Sequence, residues 1–213
     1  RQRILIERAR QIEGDKILFA LDADEIFSAN YSETEDWQRI LNSKPGDVFW
    51  FRWANICPDQ VHYWAPETFY PWMFHDDGKE PHKNYVKNMH SMRIPYPIEE
   101  KQMFYVNDFK VLHLAHLSTQ RVEAKLRFYK FVDFEMNNRS IIWLSRNYYK
   151  EKGDYSIHDL PSEWIYNNSQ SRINMFSLIV LNLQDFWYDH YITEKIRNDS
   201  KQTYNRIDIW DYS

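Results

Sequence analysis

Lys16-Ile17-Leu18-Phe19-Ala20-Leu21 is a short, nearly continuous apolar run that stops abruptly at Asp22-Ala23-Asp24-Glu25. A run bounded so tightly has the pattern of a strand buried on both faces of a parallel or mixed sheet, and it is far shorter than the ~20 apolar residues that cross a bilayer. Open α/β sheets place their ligand crevices beyond the carboxyl ends of their strands. Asp22, Asp24 and Glu25 therefore stand where a fold of that class binds its ligand.

The flanking sequence fits an α/β reading. Ile4, Leu5, Ala9 and Ile12 recur at helical spacing and Gly14 follows as a C-cap, so a helix is expected from Gln2 to Ile12. The chain opens on Arg1 inside that helical pattern, and further sequence is expected to precede it. Downstream come a helix over Glu35–Leu41, a turn at Lys44-Pro45-Gly46-Asp47 and a strand over Val48–Ala54, with further strands at Thr68–Phe74 and Phe109–Ala115. His75–Glu80 and Met89–Pro97 read as loops, the latter because Pro95 and Pro97 prevent regular pairing.

The pattern changes at Ser118. With Ser118 as N-cap, a long amphipathic helix is expected to about Met136, with Val122, Leu126, Tyr129 and Val132 sharing one face. Further helices are expected over Ile141–Tyr149 and within Ile173–Ile196. Residues 1–117 are thus read as a mixed-sheet α/β domain and residues 118–213 as a helical extension packed on it.

Composition excludes several functions. A formal charge of −4 argues against a nucleic-acid sheath, and 43% hydrophobic residues argue against a disordered chain. A single cysteine, Cys57, rules out an internal disulfide, as expected in a reducing compartment. The aromatic share of 17% suits flat apolar packing, in the core or on sugar rings.

Two carboxylates spaced Asp-x-Asp at the end of a buried strand can converge on one hard divalent cation, Mg²⁺ or Mn²⁺. The same residues can also cap a turn or helix. The context favours the metal, because a strongly apolar strand precedes Asp22 and Asp24 and a basic helix precedes that strand.

The stretch Ile17–Phe27 resembles the signature of family 2 glycosyltransferases with the GT-A fold, and Arg1–Asp15 resembles the helix before it. Val111-Leu112-His113-Leu114-Ala115-His116-Leu117, followed by Arg121, Lys125, Arg127, Phe128 and Tyr129, is similar to a second segment of that family. The resemblance implies a partial GT-A, Rossmann-like domain in which Asp22, Asp24 and His113 hold Mn²⁺ or Mg²⁺ on the diphosphate of a nucleotide-sugar. Asp24 would be the direct ligand, and Asp22 would reach the metal through water or contact the ribose. The segment Met89–Pro95 also resembles a family loop, which makes His90 and Arg93 candidate contacts to diphosphate or acceptor. Asp76, Asp77 and Glu80 are candidate bases for the acceptor hydroxyl, since a carboxylate can take its proton as the nucleophile attacks. The family's GT-A fold normally starts with strands and helices that bind the nucleotide base. This chain lacks a counterpart to them, so alone it is expected to bind donor poorly.

The function implied is metal-dependent, inverting transfer of a sugar from a nucleotide-sugar donor to a saccharide or lipid-linked acceptor in cell-surface polysaccharide synthesis. Its expected place is the cytoplasm, at the inner face of the membrane, where the apolar positions Phe176, Leu178, Ile179, Leu183, Phe186 and Trp187 of the tail could make a peripheral contact. One alternative is a carbohydrate-binding or assembly module that uses Trp50, Trp53, Trp64 and Trp72 as stacking platforms. Another is a phosphatase of the haloacid dehalogenase type, whose motif continues into Gly-Thr or Thr-Val where this chain has Glu25-Ile26.

Overall fold

The computed structural model describes residues 2–79, 93–95, 103–137, 156–165 and 186–198. Within them the chain forms two mixed sheets and several helices. The first sheet orders its strands β1 (Ile17–Phe19), β6 (Tyr70–His75), β3 (Val48–Phe51) and β7 (Met103–Tyr105). The second orders β2 (Glu25–Phe27), β8 (Val111–His113), β4 (Trp53–Ile56), β5 (His62–Trp64) and β9 (Ile157–Asp159).

Three segments pass from the first sheet into the second. The strand expected over Val48–Ala54 breaks at Arg52 into β3 and β4, each of which runs parallel to its neighbour in the other segment, β7 or β8. β1 leads into β2 in the same way, and Asp22-Ala23-Asp24 lies in that crossing. The acidic motif therefore sits at the seam between the sheets, three residues beyond the end of β1, and Glu25 already belongs to β2.

Helix α1 (Gln2–Ala9) is shorter than expected and buries Ile6 beside Val48, Phe74 and Ile94. Ile4, Leu5 and Ile12 of the expected apolar face are exposed instead. β1 also differs from a doubly buried strand. It lies at the edge of its sheet, antiparallel to β6, and Phe19 is 52% exposed. Ile17 and Leu18 pack on opposite sides of the strand, against the clusters around Phe49 and Val48, and only the Phe19 end is left open.

α2 occupies Glu35–Leu41 as the sequence indicates, capped by the Thr34 hydroxyl, which accepts from Trp37 N at 3.2 Å. Asp36 at its start accepts from the backbone amides of Asn107 (2.6 Å) and Asp108 (3.0 Å), while Asp108 accepts from Asp36 N at 3.0 Å. This exchange fixes the β7–β8 crossing to the helix N-terminus, where negative charge is favourable. Beneath it Phe49, Phe51, Trp72, Phe109 and Val111 form one buried cluster.

The strand expected over Phe109–Ala115 is β8 alone, after which Leu114–Leu117 turns as a 3₁₀ helix. α3 follows over Thr119–Asn137, and Ser118 Oγ accepts from Arg121 N at 3.3 Å. Its buried positions include Ala124 and Phe131 as well as Val132. The region after Ser118 is not wholly helical. β9 pairs with β5, and Trp164 and Ile165 of the short helix α4 (Ser162–Ile165) join Ala54, Ile56 and Leu112 in a second cluster. α5 (Trp187–Asn198) packs on α3, with Arg127 donating twice to Asp189 at 2.8 Å and Phe128 seated among Trp187, Tyr188 and Tyr191. No helix among the described residues is long and apolar enough to cross a membrane. The helix expected at Ile141–Tyr149 lies outside the described residues, as does most of Ile173–Ile196.

Candidate functional site

The geometry of the seam follows from strand pairing. β2 and β8 are antiparallel with Glu25 opposite His113, and Leu114 N donates to Asp24 O at 2.8 Å. Asp24, just before β2, is thereby held against the end of β8, where the chain leaves strand geometry on both sides. Asp24 Oδ2 and His113 Nε2 come within 3.8 Å, although 89 positions separate them in the chain.

His113 is oriented from behind. Asn55 on β4, its register partner, presents Oδ1 at 2.7 Å from His113 Nδ1 while the Asn55 amide group donates to Trp64 O at 3.5 Å. That network puts the imidazole proton on Nδ1 and leaves the Nε2 lone pair facing Asp24. Trp53 stacks on the ring at 5.2 Å and 19°. Burial pushes the His113 pKa down to about 4, with Lys125 adding to the effect and Asp24 opposing it, so the ring is neutral at neutral pH.

Asp24 is mostly covered and faces cations. Arg121 Nη2 lies 3.3 Å and Lys125 Nζ 3.8 Å from its Oδ2, both projecting from one face of α3 at helical spacing. Tyr129 is the next residue along that face and Tyr188 approaches from α5. Burial raises the pKa of both phenols, with Asp24 contributing in each case, so both keep their protons.

Glu25 is a fixed point. Its side chain is fully buried and accepts from Asp22 N (2.8 Å), from Trp53 Nε1 (2.8 Å) and from Nη1 and Nη2 of Arg93. Arg93 also donates to Ala20 O at 3.1 Å and Asp22 Oδ2 at 2.6 Å, and it lies over the Trp72 ring at 5.1 Å. Arg93 therefore organises the acidic turn. Asp22 remains largely exposed; partial burial, with Glu25 and Asp24, raises its pKa against the pull of Arg93.

The other candidate residues lie elsewhere. Asp76 lies at the opposite end of β1 from the acidic turn, its amide donating to Lys16 O at 2.8 Å and its carboxylate accepting from Arg10 Nε and Nη2 at 2.8 and 2.7 Å. Asp77 accepts from Lys79 N at 3.0 Å within the following turn. Glu80 and His90 lie outside the described residues. Trp72 is buried, so it offers no face to a sugar ring, and Trp53 spends one face on His113.

Among the described residues no three His, Cys, Asp or Glu side chains form a metal-holding group. Asp24 and His113 nevertheless suit a hard divalent cation whose remaining positions are filled by water and phosphate oxygens, as Mg²⁺ sites commonly are. A carboxylate beside an imidazole whose far nitrogen is anchored by an amide carbonyl is the donor arrangement such ions take. Of the three candidates the sequence singled out, Asp22, Asp24 and His113, the structure brings Asp24 and His113 side by side. The sequence did not indicate Asn55, Trp53 or the roles of Glu25, Arg121, Lys125 and Tyr188; the i, i+4, i+8 spacing of Arg121, Lys125 and Tyr129 was the signal available. No family model matches the chain, nor does any curated protein or solved structure.

Proposed function

We propose that this chain is the metal- and diphosphate-binding part of a glycosyltransferase that moves a sugar from a nucleotide-sugar to a saccharide or lipid-linked acceptor, with inversion, in cell-surface polysaccharide synthesis. Its GT-A assignment belongs to the same proposal, as does action in the cytoplasm at the membrane's inner face. The observation that supports it most is the Asp24–His113 pair, with His113 Nε2 freed for coordination by the Nδ1 contact to Asn55.

Asp24 and His113 would hold Mn²⁺ or Mg²⁺; the imidazole favours Mn²⁺. A bound divalent cation offsets charge that builds on the departing diphosphate. The protein holds Asp24 through Leu114, His113 through Asn55, and the turn through Glu25 and Arg93, so the donors are in place before the ligand arrives. Asp22, largely exposed two residues before Asp24, would contact the ribose or reach the metal through water. Asp76 gives its carboxylate to Arg10, and the proposal therefore assigns it to the fold rather than to the acceptor hydroxyl.

Calorimetric titration with UDP and GDP, with and without Mn²⁺, tests the reading. Weak, metal-dependent nucleotide binding through the diphosphate is expected in the wild type and is expected to disappear in Asp24→Ala and in His113→Ala. Nucleotide binding that ignores both metal and substitutions would remove it.

A further inference from the structure

The three carboxylates of the acidic turn are matched by three cations. Arg93 serves Asp22 and Glu25, while Arg121 and Lys125 serve Asp24. The site is thus balanced without a metal. A divalent cation placed on Asp24 would lie within a few ångströms of two positive side chains. A diphosphate arriving alone would find each cation already paired with a carboxylate.

The two sets of cations differ in how firmly they are held. Arg93 is tied to the fully buried Glu25, to Ala20 O and to the face of Trp72. Arg121 and Lys125 reach Asp24 singly, at 3.3 and 3.8 Å, on long side chains that retain partial exposure. Their backbone is anchored by the Ser118 cap and by α5, so the heads can turn without moving the helix.

Building on the metal–diphosphate reading above, we infer that Arg121 and Lys125 are exchangeable counter-ions. They neutralise Asp24 in the metal-free protein and turn to the diphosphate oxygens when a divalent cation takes Asp24. Metal and diphosphate consequently bind as a coupled pair. The ligand class is a metal-complexed diphosphate, recognised by cations on α3.

Titration of the 213-residue chain with Mn²⁺ alone, inorganic pyrophosphate alone and both together, against protein-free blanks, tests this without requiring contacts to a nucleotide base. In the wild type each ligand is expected to tighten the other by about tenfold, a usual scale for coupled sites. In the double variant Arg121→Gln, Lys125→Gln, Mn²⁺ alone should bind about two- to fivefold more tightly, since a competing ion pair is gone, and the coupling should vanish. A misfolded variant does not gain metal affinity, so this sign separates exchange from damage. Lys125→Arg keeps the charge and should keep the coupling. If Mn²⁺ uptake is abolished by Asp24→Asn yet the double variant behaves as the wild type, the exchange is overturned and the metal site stands. If no Asp24-dependent Mn²⁺ uptake occurs with pyrophosphate, both fall.

Discussion

Three adjacent acids in one turn have three different jobs, and their surroundings decide which. Glu25 is sealed under Arg93 and Trp53, Asp24 faces α3, and Asp22 is open to solvent. The sequence shows the triplet but not the division, because burial depends on which strand pairs beside it. Removing one partner of a buried pair strands the other, so Glu25→Ala should lower stability by about 3 kcal/mol in urea denaturation. Asp22→Ala, at an exposed position, should change it by less than about 1 kcal/mol. Equal losses would show that Glu25 is not the fixed point of the turn.

A second residue-scale prediction concerns Asp59 and His62, whose Oδ2 and Nδ1 are 2.7 Å apart. Their hydrogen bond lowers the Asp59 pKa from 3.8 and raises that of His62 from 6.5. The Asp59 contribution to stability is present above 3.8 and fades as pH falls through its lowered value. That of His62 is full below 6.5 and is lost as pH rises through its raised value. The pair therefore supports the fold most between about pH 4 and 6.5, from the ordinary values it departs from. NMR titration should place the His62 midpoint above 6.5 and return it there in Asp59→Asn; an unchanged midpoint would discard the pairing.

At the scale of elements, local signals were read well where local chemistry decides. α2 follows from its cap and charges, and the turn before β3 from Gly46, whose φ of +101° an L side chain rarely adopts. A Cβ at Gly46 would meet nothing within 4 Å, so the cost of Gly46→Ala is purely backbone strain. It should amount to about 1 kcal/mol in thermal or urea unfolding. A neutral result would mean that the turn relaxes. Signals failed where neighbours decide. Ile17–Phe19 reads as doubly buried because its residues are apolar, yet its place at the edge of the sheet leaves Phe19 half exposed. Val48–Ala54 reads as one strand because nothing in its composition marks Arg52 as the point where the ribbon changes sheets.

For the whole molecule, Asp24 and His113 stood out in the sequence as candidate residues, but what brings them together is the pairing of β2 with β8, and what surrounds them comes from α3 and α5. The division at Ser118 was read from a change of periodicity, which reports local structure and is blind to long-range pairing. β9 closes the second sheet against β5, with Tyr63 opposite His158, and Trp164 and Ile165 fill the cluster around Ala54 and Leu112. Trp164 O also accepts from Ala29 N at 2.7 Å, beside the end of β2. A chain ended at residue 117 would lose these together, uncovering the apolar face of the strands that carry Asn55 and His113 and removing Arg121 and Lys125. Such a chain should give no cooperative urea transition and should lose its near-ultraviolet circular dichroism, whereas residues 1–213 are expected to unfold in a single step. Should the shortened chain unfold cooperatively, the second sheet is stable without β9 and α4, and the later segment is an addition to the site rather than part of its foundation.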